Sequence, residues 1–291
     1  MLKTIIKAMR IEQWYKNLVI FVGLIFSLNI TNIHMFSYTT AAFVVFCILS
    51  SGVYLVNDIK DAESDRLHPK KRNRPIASGK LPINIAWILA SFFIITSLAI
   101  AFTLETLFGI VCLLYLAQNL LYSQWLKSIS IIDVAIVSTG FVWRAIAGTV
   151  VISVRTSPWL IICSFLLALF LALLKRKSEL TTLTKAGDHR TSLQSYTPQL
   201  ISNLLTITIT SLLVAYMIYT FESEHIYMMA TIPFAFIGIF RYIQLSDSRE
   251  TNDDPTFIFR DRITQVNMLL WILTAMVALY ELPAKLLALI P

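Results

Sequence analysis

The sequence predicts an all-α fold, a polytopic membrane bundle of about nine transmembrane helices, and three observations carry that prediction. Of the 291 residues, 57% are hydrophobic and 14% charged, and the mean hydropathy is +0.71, so polar side chains are too few to cover a soluble globule. Apolar segments recur along the whole chain, most of them near the ~20 residues that a bilayer-spanning helix needs. Basic residues are sorted by side: of the 24 Lys and Arg, all but Arg144, Arg155 and Lys285 fall in the N-terminus, in the loops after even-numbered segments or, for Arg241, at the end of the eighth segment. That asymmetry places the N-terminus and those loops in the cytoplasm, with the chain in the cytoplasmic (inner) membrane.

The net charge of +7 therefore follows membrane topology and is not a nucleic-acid footprint. Cys47, Cys112 and Cys163 each lie inside an apolar segment without metal-type spacing, and the four histidines form no HExxH-like pattern. Disulfide frameworks and zinc sites are excluded on that pattern.

In chain order, residues 1–16 read as an amphipathic interfacial segment. Leu2, Ile5, Ile6 and Met9 form one stripe, with Lys3, Lys7 and Arg10 off it, the arrangement of an uncleaved helix lying on an anionic membrane surface. Apolar segments follow at 17–33, 38–56, 82–103, 106–122, 131–152, 158–174, 200–220, 226–243 and 264–281. The connection at 153–157 is short and that at 104–105 barely a turn, which makes neighbouring helices antiparallel. With no repeat or low-complexity linker, residues 1–291 read as a single domain, with candidate catalytic loops at 57–81 and 175–199.

Between the second and third segments the chain reads NDIKDAESDRLHPKKRNRPIASG, residues 57–79. Asp58, Asp61 and Asp65 stand at i, i+3 and i+7, on one face of a helix, with Glu63 pointing elsewhere. Like charges so placed repel, and a divalent cation removes that penalty. Hard carboxylate oxygens without nearby Cys favour Mg²⁺ or Mn²⁺. Directly after them come Arg66, His68, Lys70, Lys71, Arg72 and Arg74, broken into a loop by Pro69 and Pro75. Acids for a metal followed by cations for phosphate point to a metal-diphosphate site. The plainer alternative, a solvated charged loop, leaves three aligned carboxylates unexplained.

Three further polar clusters fall on the same predicted side. Gln13-Trp14-Tyr15-Lys16-Asn17 is either a site element or an aromatic-lysine interfacial anchor. Tyr122-Ser123-Gln124-Trp125-Leu126-Lys127 precedes Asp133. Arg144, eleven residues after Asp133, would sit about 16 Å deeper and about 20° around the helix, so that both face one cavity or neighbour. An arginine at that depth reads as functional unless it is a structural ion pair. Lys175-Arg176-Lys177-Ser178-Glu179 ends the sixth segment, with Asp188, Arg190 and Tyr196 following, and the loop from Asn252 to Arg262 offers Asp253, Asp254 and Asp261 as weaker candidates.

These residues carry a resemblance. Asn57-Asp58-x-x-Asp61-x-x-x-Asp65 in a chain of this kind resembles the first aspartate-rich motif of the UbiA superfamily of intramembrane prenyltransferases. Within it, the chain most resembles the decaprenyl-phosphate phosphoribosyltransferase branch. That likeness runs through Gln13-Trp14-x-Lys16-Asn17, the stretch from Asp65 to Gly79, Tyr122-Ser123-x-x-Leu126-Lys127, Arg144-Ala145-x-Ala147-Gly148 and Lys175-Arg176-x-x-Glu179-Leu180. Where typical prenyltransferases place a second DxxxD motif after the sixth span, this chain has Lys175, Arg176 and Glu179. The departure points away from prenyl-diphosphate chemistry.

The physical argument agrees. Phosphoribosyl transfer from 5-phosphoribosyl diphosphate to a polyprenyl phosphate must hold a diphosphate, a sugar phosphate and a lipid phosphate, and Lys and Arg can neutralise two of those without metal. The lipid phosphate is already an anionic nucleophile, so no general base is required. Asp58, Asp61 and Asp65 are thus expected to bind Mg²⁺ or Mn²⁺ and to be catalytic, with Asn57 and either Glu179 or Asp261 in support. Lys16, Arg66, Lys71, Arg72, Arg74, Lys127, Arg144, Lys175 and Arg176 are expected to hold phosphates, with Asn17, Tyr122 and Glu179 completing the substrate-binding set. The acidic face and the 175–199 loop are expected to border one cavity open to the cytoplasm. The alternatives are an aromatic prenyltransferase using polyprenyl diphosphate and a transporter of an anionic or lipid substrate.

Overall fold

Backbone hydrogen bonds cannot be left open in hydrocarbon, and a chain this apolar answers by closing them within helices. A computed structural model of the protein describes residues 1–68, 71–182, 191–248 and 261–281, and these are helical wherever they are regular. Eight of the helices are long and apolar enough to cross a membrane. Contacts gather the chain into two units, residues 1–156 with 191–192, and the described residues from 157 onward apart from those two.

The first unit runs through α1 (Leu2–Ala8), a 3-10 helix (Ile11–Val19), α2 (Ile20–Phe26), α3 (Ile33–Lys60), α4 (Ala62–Leu67), α5 (Ile83–Leu104), α6 (Thr106–Gln124) and α7 (Ile132–Val150). The first expected span is here not one long helix but nine residues of 3-10 helix leading into seven of α-helix. At roughly 2.0 and 1.5 Å per residue, the two advance on the order of 28 Å, close to the ~30 Å of a hydrocarbon core. The stretch is not among the eight helices long enough to cross by themselves. The 3-10 form has a reason: its three-residue repeat lines up Trp14, Asn17 and Ile20. Trp14 Nε1 donates to Ser51 Oγ at 3.1 Å. Asn17 Nδ2 lies 3.2 Å from Cys47 Sγ and 3.4 Å from Ser50 Oγ, and Ile20 is fully buried.

Helix α3 is the axis of this unit. Asn32 caps it by accepting from Met35 N, and its Phe46 packs against Phe108 and Tyr115 of α6. Its far end delivers Asp58 to one edge of the bundle. By contrast, α5 leaves Ile88, Phe92 and Ile95 exposed, as suits side chains facing lipid. Glu105 alone separates α5 from α6, and its carboxylate caps α6 by accepting from Thr106 N and Leu107 N.

The second unit holds α8 (Pro158–Thr182), α9 (Pro198–Glu222), a short 3-10 turn (Ile226–Thr231), α10 (Ile232–Ser248) and α11 (Arg262–Leu279). Thr197 caps α9 just ahead of Pro198, whose missing N–H costs nothing at that position. Asp261 caps α11 through Thr264 N.

Candidate active site

The aspartate-rich stretch does not continue as one helix. α3 stops at Lys60, Asp61 takes φ −89° and ψ 2°, and α4 begins at Ala62. The break leaves Asp58 and Asp65 together and turns Asp61 to a different partner. Asp58 and Asp65 are both buried, 3% exposed. Arg74 Nη1 stands between them, 3.1 Å from Asp58 Oδ1 and 2.6 Å from Asp65 Oδ2. Asp61 is less buried and pairs with Lys127 Nζ. Among the described residues, no three carboxylate, His or Cys side chains converge as a metal-holding group. The trio that spacing aligns is thus a pair and a single acid, each ion-paired to neighbouring cations.

A third cation at this edge is not among the expected ligands. Arg10 Nη2 lies 2.5 Å from Asp58 Oδ1 and its guanidinium lies 5.0 Å from the centroid of the Tyr54 ring. The only signal for it was its place at the end of the amphipathic segment, where a basic residue reads as a surface charge. The other expected phosphate ligands are placed variously. Arg66 is exposed, with Nε donating to Ala77 O at 3.3 Å. Arg72 is exposed and Lys71 half-buried, its backbone N–H donating to His68 Nδ1. Lys16 Nζ donates to Gln13 Oε1. Asn57 and Tyr122 are half-buried. Lys70 lies outside the described residues.

Arg144, expected to hold a phosphate, is engaged in this structure by groups of the protein itself. It is buried, 5% exposed, and its donors go to Asn17 Oδ1 (2.7 Å), Gly140 O (2.7 Å) and Tyr115 Oη (3.0 Å). Asp133 accepts from Ser192 Oγ. Arg144 is thus a hub joining the 3-10 helix, α6 and α7. One turn on, Gly148 meets Ile20: a Cβ at Gly148 would stand 1.9 Å from Ile20 O. Four residues of α-helix and three of 3-10 helix each advance about 6 Å, so Arg144 and Gly148 match Asn17 and Ile20 in register.

In the second unit, Lys175 is exposed, whereas Arg176 is buried and ion-paired with Glu179. Lys177 is half-buried and Tyr196 buried. Asp261, a suggested metal supporter, is held by Arg241 and caps α11; the hydrogen bonds from Arg241 hold its carboxyl well below the usual carboxylate range. Asp188, Arg190, Asp253 and Asp254 lie outside the described residues.

A family model described as the UbiA prenyltransferase family matches residues 18–273. The chain belongs to the UbiA prenyltransferase family. This UbiA-family chain is 34% identical over 294 residues to a decaprenyl-phosphate phosphoribosyltransferase of Mycolicibacterium smegmatis, covering 95% of this chain and 92% of the relative. It is likewise 34% identical over 290 residues to the protein of that name from Corynebacterium glutamicum, covering 96% and 87%. The solved structure of a UbiA homolog from Archaeoglobus fulgidus bound to GPP and Mg²⁺ superposes with a TM-score of 0.75 at 18% identity, covering 95% of this chain and 99% of that one. That likeness establishes the fold.

As a UbiA-family member the protein is a multi-pass membrane transferase, and the transporter alternative falls away. Its acidic edge also fits a hard dication. Oxygens of Asp58 and Asp65 already share one positively charged neighbour, Arg74, and the donors are all oxygen, so a dication that displaced the guanidinium would meet hard ligands.

Proposed function

We propose that this protein transfers the 5-phosphoribosyl group of 5-phosphoribosyl diphosphate to a polyprenyl phosphate at the cytoplasmic face of the inner membrane. One observation carries the choice of donor: the similarity to decaprenyl-phosphate phosphoribosyltransferases runs over 95% of the chain. The charge set supports it. Asp58 and Asp65, joined by Asp61 once Lys127 is released, would hold Mg²⁺ or Mn²⁺, which supplies charge neutralisation for the departing diphosphate. Asn57 supports that acidic edge.

The chain's own residues do the rest by positioning. Arg74 and Lys127, now occupied by carboxylates, become phosphate donors when those carboxylates are taken up. Lys16, Arg66, Lys71 and Arg72 add donors from the same unit, and the 3-10 helix presents Lys16 on a backbone that Arg144 fixes through Asn17. In the second unit, taken by itself, Lys175 and Arg176 are further candidate donors for a phosphate. Such fixed cations favour the developing charge of the leaving group as C1 of ribose gains oxocarbenium character. No residue needs to take a proton from the lipid phosphate, which arrives ionised.

Membranes containing the protein, incubated with labelled phosphoribosyl diphosphate and polyprenyl phosphate, should yield labelled lipid with Mg²⁺ or Mn²⁺ and none with excess EDTA. Transfer undiminished in EDTA refutes the metal role. Absence of sugar transfer, with prenylation of an aromatic acid from polyprenyl diphosphate, establishes the rival donor.

A further inference from the structure

We propose that Arg10 is an exchangeable counter-ion of the acidic edge: it occupies Asp58 while metal and diphosphate are absent, and passes to the diphosphate when they bind. The inference rests on the metal-diphosphate reading above and adds to it a regulation of the same site by the N-terminal helix.

The geometry points to exchange and not to a permanent pair. Two guanidinium groups compete for one oxygen, Asp58 Oδ1: Arg10 at 2.5 Å and Arg74 at 3.1 Å. Arg74 also holds Asp65, so its loss would separate the acids, whereas Arg10 holds Asp58 alone. Tyr54 offers the Arg10 guanidinium a resting place at 5.0 Å, from which it can leave the carboxylate and stay at the site. The backbone of Arg10 is fixed in the left-handed region, φ 53° and ψ 50°, a conformation uncommon outside glycine and asparagine. It is pinned there by Ser51 Oγ donating to Met9 O at 2.9 Å and by Ala8 packing among Leu55, Val56 and Ile76. Arg10 is thus the link between α1 and a carboxylate 48 residues away. When it lets go of Asp58, α1 loses a tether and the diphosphate gains a two-pronged donor.

The two halves of the exchange predict effects of opposite sign. Arg10→Asn removes the guanidinium and suits the left-handed backbone. In purified protein, Mn²⁺ alone, followed by electron paramagnetic resonance, should bind this variant at least about threefold more tightly than wild type, because the occupied fraction of Asp58 no longer lowers the apparent affinity. Mn²⁺ with inorganic diphosphate should bind it more weakly than wild type. Arg10→Lys, which keeps the charge without the fork, should show both shifts at smaller size and serves if the asparagine variant does not fold. In variants that fold as wild type does, weaker binding in both measurements, or Mn²⁺ binding equal to wild type, overturns the inference. Failure of wild-type protein to bind Mn²⁺ even with diphosphate overturns the site reading itself, and this inference with it.

Discussion

Arg144 Nε lies 2.7 Å from Asn17 Oδ1, a contact between side chains 127 residues apart in sequence, in which a buried cation is satisfied by neutral partners. Tyr115 and Phe141 add ring faces at 4.9 and 5.2 Å. The bond fixes the 3-10 helix one residue from Lys16, so a residue far along the chain sets the position of a proposed phosphate ligand.

Arg144→Lys keeps the charge but cannot reach three partners with one ammonium group. It should lower the thermal midpoint of the detergent-solubilised protein, at a cost of about 1–3 kcal/mol for the acceptors left unsatisfied. An unchanged midpoint would show that the hub is not structural.

Gly148→Ala places a methyl group where Ile20 O already stands. Backbone, not a flexible side chain, must move, so a loss of about 1–3 kcal/mol or more is expected. Gly79→Ala tests a different cause: there the space is open and φ is +75°, so its smaller penalty comes from backbone conformation alone.

Asp61→Asn should lower kcat for sugar transfer by about 10²-fold or more while leaving the thermal midpoint close to wild type, since Asp61 is a third exposed and its partner Lys127 is itself 38% exposed. Asp58→Asn should do both kinds of damage. Its carboxylate is buried between Arg10 and Arg74, so neutralising it leaves two cations short of a partner. Equal midpoints for the two variants would contradict the burial difference.

Lys175→Ala and Arg176→Ala should separate along the same line. Loss of Lys175, which is exposed, should raise KM for a phosphorylated substrate. Arg176 is buried and paired with Glu179, so its loss should lower the thermal midpoint as well as raise KM. Lys177→Ala should leave KM unchanged. Silence of Lys175 and Arg176 alike would assign both to topology.

Asp261 gives a pH-dependent test. Its carboxyl is held below the usual value by Arg241, so between that usual value, about 4, and the lower folded one, the unfolded chain binds more protons and stability falls as pH falls. The stability advantage of wild type over Asp261→Asn should be full at about pH 6 and shrink below about pH 4. An advantage that stays constant to lower pH would remove the pair as its source.

Much of the fold was written in local pattern. Segment length, the placement of Lys and Arg, and one-residue turns such as Glu105 specify membrane helices and their alternation, because bilayer thickness and backbone hydrogen bonding act on each segment separately. The acidic run itself was visible in the sequence, but its i, i+3 and i+7 spacing assumes one helix, and the break at Asp61 gives Asp61 a different partner from Asp58. The first expected span was less legible, since the 3-10 form that lines up Trp14, Asn17 and Ile20 follows from what α3 and α7 present to it.

What only the tertiary structure decided is who pairs with whom. Arg10 meets Asp58 across 48 residues, Lys127 meets Asp61 across 66, and Arg144 meets Asn17 across 127. A basic residue at a membrane edge reads the same from sequence whether it faces lipid headgroups, a phosphate or a buried carboxylate. Charge type and spacing fix the chemistry available to this chain, while the choice among partners is a Coulombic and desolvation balance that exists only once the helices have packed.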